Sequence, residues 1–290
     1  WIQAARDAVS DGYATYLRLL QSSEDSMLRV CAAYILSRCR THATEVIPIM
    51  KQHLAVEEIP SVRASLLLSM GHLLQDNEET ALFFTHMLHE TEDPFIQIVA
   101  AISCALSMKK QTNQEILNVL IQGYDLPSVV KERFDELPFA DTKPFYDYVD
   151  LDAWISIALR SIGPSIASQV VSQVVPILIR VIIKKSNAWR VHIPITLVTN
   201  LLYLVFGDQK LTGDMTVSDL TGLQQDVLTA LYKTEALSGN DNIELVLGKF
   251  CDPSFRYLTL GFLTWFRDDL GAFLTGKPPF LSSMDRRGQA

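Results

Sequence analysis

Apolar residues in the first part of the chain recur at helical spacing, and the pattern then repeats itself. Three segments align at a shift of 34 positions within residues 1–122: Ser26-Met27-Leu28-Arg29-Val30-Cys31-Ala32-Ala33, Pro60-Ser61-Val62-Arg63-Ala64-Ser65-Leu66-Leu67 and Pro94-Phe95-Ile96-Gln97-Ile98-Val99-Ala100-Ala101. Leu28, Val62 and Ile96 share one apolar column, and Ala32, Leu66 and Ala100 another. Arg29, Arg63 and Gln97 keep a long polar side chain at one place and read as structural ladder residues. Upstream of each segment lies a second helical stretch, residues 13–20, 47–54 and 81–88, ending on Leu20, Leu54 and Leu88 at the same period. Each unit therefore reads as a pair of helices. A lone pair cannot bury its apolar stripe, so the pairs must stack on one another, and the Leu28/Val62/Ile96 column is expected to be buried.

The punctuation fits this division. Asp93 before Pro94 is a good cap and first-turn combination, because the carboxylate accepts an orphan N–H and proline lacks one. Asp25 holds the same place two repeats earlier, whereas Ile59 stands where the middle cap is expected. Gly and Pro number 13 and 12 in the whole chain, and no apolar/polar alternation survives between the segments, so strands are not expected.

Regularity fails after Gly123. Asp125, Pro127, Pro138, Asp141 and Pro144, followed by Phe145, Tyr146 and Tyr148, predict an insertion over residues 123–150 with a short helix near 128–137. Such an ordered insertion is either a functional loop or a structural cover over one edge of the repeats. Helical periodicity resumes in longer stretches at 152–162, 165–183, 188–206 and 216–232. Thr216 and Asp219 form a capping-box pattern, and Leu220, Leu223, Val227, Leu228 and Leu231 follow on one face. Residues 151–290 are thus read as degenerate helix pairs closed by an apolar cap at 255–266 and a tail from 276.

Asp25 with Leu28-Arg29 and Ala32-Ala33, and Ser61-Val62-Arg63-Ala64, resemble the core signature of HEAT repeats, as in bacterial HEAT-repeat and phycobilin-lyase-type proteins. Gln97 in place of the arginine and Ile59 in place of the capping Asp depart from it. The resemblance covers the first 122 residues. It implies an all-α, right-handed α-solenoid of HEAT-like (armadillo-like) helix pairs.

Charge narrows the choice of partners. The net charge is −8, but residues 1–150 carry 12 Lys and Arg against 21 Asp and Glu, while residues 151–290 carry 13 against 12. An acidic repeat half is repelled by nucleic acid and by anionic lipid. The densest basic cluster, Arg180, Lys184, Lys185 and Arg190 around Trp189, is the one place where a nucleic-acid contact is conceivable. The apolar stretch 162–183 contains Pro164, Gln169, Gln173, Pro176 and Arg180, and reads as a buried helix and not as a membrane span. Cys31, Cys39, Cys104 and Cys251 show no ligand spacing and read as reduced thiols of a cytoplasmic protein, consistent with an opening that has no basic leader or cleavable apolar run.

No catalytic pattern emerges. His86 and His89 lie one helical turn apart beside Glu90, but the order His-Met-Leu-His-Glu fits neither zinc-protease arrangement and supplies no third ligand. Nucleophile elbows and Gly-rich phosphate loops are absent from the sequence, so no cofactor or metal is expected. What does recur is acid: Glu24, Glu58 and Glu92 fall at the period of 34 in the turn within each pair, thickened by Asp25 and Asp93 and flanked by Glu57. Turn acids cap helices and keep an edge soluble; stacked in register, they also form a docking rail for a basic protein. The expected function is therefore a non-catalytic protein-binding scaffold or adaptor. The alternative from another class is a HEAT-like enzyme, a DNA alkyl-base glycosylase or a cofactor-attachment lyase, for which a basic concave face around an exposed Trp is the signature.

Overall fold

The computed structural model describes residues 12–74, 78–108, 114–139, 150–162, 168–186, 192–207, 209–212, 215–233 and 271–276. Within them the protein is all-α, with no strand. Backbone packing divides it into two compact units, Trp1–Ser165 and Ile166–Ala290.

In the first unit the helices are α1 (Tyr13–Ser22), α2 (Ser26–Leu36), α3 (Ala43–Leu54), α4 (Pro60–Leu73), α5 (Glu78–His89), α6 (Pro94–Ser107), α7 (Gln114–Gly123), α8 (Ser128–Asp135) and α9 (Leu151–Ile162), with a 3-10 turn at Arg40–His42. α1 packs on α2, α3 on α4, α5 on α6 and α7 on α9, and across these pairs α2 meets α4, α4 meets α6 and α6 meets α9. The second helices thus form a continuous row. α6 is touched on several sides, and Ile96, Ile98, Val99, Ala100, Ala101 and Ile102 are all buried, as its all-round apolar sequence requires. The small residues Ala32, Ala33, Ala64, Ala100 and Ala101 are buried too. Approach is closest between α4 and α6, where a Cβ on Gly71 would stand 2.7 Å from the Ser103 Cα. Ser69 Oγ donates to the Ala33 carbonyl at 2.7 Å and so ties α4 to α2.

The Leu28 column is buried only in part. Val62 and Ile96 are 0 % and 2 % exposed, whereas Leu28 is 46 % exposed. Val62 and Ile96 lie on helices with a described second-helix neighbour on each side, whereas α2 has one, α4. Leu20, Leu54 and Leu88, which close the first helices, are all buried.

The insertion carries the expected short helix, α8, which packs on α6 and α9. Phe139 beyond it is buried against Tyr34, His72 and Trp154, and the Trp154 Nε1–H donates to its carbonyl at 3.0 Å. The described part of the insertion is therefore a packed cover.

The second unit contains α10 (Ser168–Ser186), α11 (His192–Phe206) and α12 (Gly222–Lys233), each packed on the other two. The continuous helix expected over 216–232 is interrupted. Thr216 and Asp219 do form a capping box, but it closes a 3-10 turn, Val217–Asp219. A second reciprocal pair then starts α12: Thr221 N–H donates to Gln224 Oε1 at 3.0 Å, and Gln224 N–H to Thr221 Oγ1 at 3.3 Å. Leu220, Val227, Leu228 and Leu231 are buried, and Leu223 is half-buried. The apolar cap expected at 255–266, and Cys251, lie outside the described residues.

Candidate functional site

The turn between the two helices of each pair repeats bond by bond. Ser23, Glu57 and Thr91 occupy one station, and each side chain accepts the backbone N–H two residues on: Asp25 N–H to Ser23 Oγ at 3.2 Å, Ile59 N–H to Glu57 Oε1 at 3.0 Å, Asp93 N–H to Thr91 Oγ1 at 3.1 Å. Their carbonyls in turn accept from the ladder residue six positions later. Arg29 Nη1 reaches the Ser23 carbonyl at 2.8 Å, Arg63 Nη1 the Glu57 carbonyl at 3.2 Å and Gln97 Nε2 the Thr91 carbonyl at 2.9 Å. The ladder is structural, as expected, and it fixes the shape of three turns that carry the candidate acids.

Glu24, Glu58 and Glu92 stand one position past this station in each turn, and all three are exposed. None makes a side-chain hydrogen bond or ion pair among the described residues. Asp25 and Asp93 behave differently: each caps the second helix of its pair, Asp25 Oδ1 accepting from Met27 N–H at 2.8 Å and Asp93 Oδ1 from Phe95 N–H at 3.0 Å. Asp93 is further held by both Arg133 amino groups at 2.9 and 2.7 Å, the guanidinium lying over the Phe95 ring at 4.4 Å. Those hydrogen bonds outweigh partial burial and keep the Asp93 carboxyl below its ordinary 3.8. Its charge is already compensated within the fold.

Glu57 is the residue that the sequence pattern does not single out. It turns inward, its side chain 5 % exposed, while Glu58 beside it faces solvent. Its two oxygens take the Arg29 Nε and Nη2 fork at 2.9 and 3.2 Å, and Oε2 also meets His53 Nε2 at 3.1 Å. Burial pushes this carboxyl up, but the Ile59 amide, Arg29 and the charge of His53 together bring it below 4.5. The Arg29–Glu57 bridge spans two successive pairs, while the helix that starts after Ile59 has no side-chain cap.

A groove of about 470 Å³ opens between α3 and α5, with Arg63 of α4 lining it together with Lys51, Phe83, His86 and Glu90. His86 and His89 do not converge on a common ion: His86 Nδ1 lies 3.5 Å from Glu90, and His89 Nε2 lies 3.1 Å from Glu115. Among the described residues no group of three or more His, Cys, Asp or Glu side chains is placed to hold a metal ion. Among the described residues no disulfide joins Cys31, Cys39 and Cys104, of which Cys39 and Cys104 are buried and Cys31 is half-buried.

Of the basic cluster, Arg180 and Lys184 are exposed on α10, while Trp189 and Arg190 lie outside the described residues. No described helix is long and apolar enough to cross a membrane. Comparison with protein families, with curated proteins and with solved structures finds no match to the chain.

Proposed function

We propose that the protein is a non-catalytic scaffold whose helix pairs form a right-handed, HEAT-like solenoid, and that Glu24, Glu58 and Glu92 are the docking edge for a basic protein segment in the cytoplasm. The observation that carries the reading is the contrast among the turn acids. Asp25 and Asp93 cap helices and Glu57 is buried in an ion pair, but the three acids at the recurring position are exposed and uncommitted. That their three turns are built from the same hydrogen bonds supports a like presentation of the carboxylates. Aligned charges at about 10 Å, close to the screening length at physiological salt, sum into a field that one carboxylate does not make. The buried thiols Cys39 and Cys104 suit a reducing compartment.

The test is binding of fluorescent basic amphipathic peptides to the wild type and to the triple variant Glu24→Lys, Glu58→Lys, Glu92→Lys. The wild type retains such peptides with an affinity that falls as salt rises, and the triple variant loses them with its helical signal intact. Equal retention by both proteins would overturn the proposal.

A further inference from the structure

Arg29 and Arg63 occupy equivalent positions and divide their nitrogens in the same way, but only one of them has its counter-charge. In both, Nη1 points back to the carbonyl of its own turn. In Arg29 the remaining fork, Nε and Nη2, closes on Glu57 of the next pair, 28 residues on. For Arg63 the residue 28 positions on is Thr91, which is shorter, uncharged and already engaged by the Asp93 N–H. No carboxylate among the described residues forms an ion pair with Arg63. Arg63 lines the groove between α3 and α5, where Lys51 meets Glu79 at 3.5 Å and the acid of the lining, Glu90, lies 3.5 Å from His86 Nδ1.

We infer that this groove is a binding site for a peptide carboxylate carried next to an apolar or aromatic side chain, the carboxylate taking on Arg63 the place that Glu57 takes on Arg29. A guanidinium fork matches a carboxylate with two parallel hydrogen bonds, and the Arg29–Glu57 pair shows that geometry at the equivalent position. The walls supply the rest. Phe83, Leu54 and Met87 offer an apolar surface, and the Lys51 ammonium sits 4.8 Å from the Phe83 ring centre. The inference does not rest on the acidic edge, which uses other residues and the opposite charge.

Two variants test it without dismantling the turn. Arg63→Gln mimics Gln97, which makes the same carbonyl contact in the next turn, and removes the fork. Thr91→Glu mimics Glu57, which accepts the same backbone N–H, and supplies the missing carboxylate from within. The probes are N-acetylphenylalanine, with a terminal carboxylate, acetyl-Phe-Glu-amide, with a side-chain carboxylate, and N-acetylphenylalaninamide, with none. Binding is read from the Arg63 Nε–H resonance and by calorimetry. Wild type binds one or both acids, and the stronger of the two identifies which kind of peptide carboxylate the groove takes. The neutral amide binds about tenfold more weakly or not at all, and Arg63→Gln and Thr91→Glu each lose about tenfold or more in affinity for the acids. Absence of a shift at Arg63 with either acid, equal binding of the amide, or unchanged binding by both variants would each overturn the inference.

Discussion

At the scale of single residues, one histidine and two carboxylates each lose their contribution to stability as pH falls, over different ranges. His72 packs between Phe139 and Trp154, and burial, reinforced by the charges of Arg38 and Arg40, lowers it from 6.5 to about 4. Its imidazole is neutral in the fold, so the unfolded chain binds the extra proton first and stability falls as pH drops from 6.5 towards 4. A shift of that size is on the order of 3 kcal/mol at most. Glu57 and Asp93 are held below 4.5 and 3.8 respectively, so their contribution is present above those values and is lost only as pH falls through their lower folded values. His72→Leu is therefore expected to flatten the stability profile between pH 6.5 and 4 and leave the steeper acid limb in place, as measured by urea unfolding across that range. Truncating Glu57 to Ala strands Arg29 in a largely buried position and leaves the Ile59 N–H without its side-chain acceptor. A loss of about 3 kcal/mol or more is expected by the same measurement. That role was not legible in the sequence, where Glu57 and Glu58 are neighbouring acids of one turn. Which of the two faces inward follows from the station that Glu57 shares with Ser23 and Thr91, where the side chain accepts the backbone N–H two residues on.

Among elements, the row of second helices depends on close approach. A Cβ on Gly71 would meet backbone atoms of Ser103 at 2.7 and 2.8 Å, and backbone cannot swing aside as a side chain can. Gly71→Ala is expected to cost about 1–3 kcal/mol despite its higher helix propensity, as thermal melting would show. Val62→Asp, at a fully buried point of the same row, places a carboxylate without a partner in an apolar contact and is expected to melt the first unit by several tens of degrees or prevent its folding. Leu28→Asp at the equivalent but half-exposed position is expected to cost far less. The difference between these two tests the burial of the column directly. Helix pairing and the buried columns were legible because a period of 34 repeats the apolar positions three times over. The exposure of Leu28 was not, because periodicity marks a helix face without saying whether a neighbour covers it. The start of α12 escaped for a related reason: Thr216 and Asp219 satisfy the box pattern, yet Thr221 with Gln224 satisfies it again five residues later, and only the second opens the long helix.

On the scale of the molecule, the proposed docking edge requires the exposed acids of three successive turns to form an even row. Their recurrence was visible in the sequence, and so was the acidic balance of the first half. What separates Glu24, Glu58 and Glu92 from the other turn acids became visible only with the hydrogen bonds, because capping, ion pairing and exposure leave the same letters. The most direct test places spin labels pairwise at these three positions, in a background without other reactive thiols, and measures the separations by continuous-wave and pulsed EPR. The row predicts similar spacings of about 10 Å for the 24/58 and 58/92 pairs, and about twice that for 24/92, once the label length is allowed for. Unequal spacings between neighbours, or an outer pair no farther apart than the adjacent ones, would contradict it.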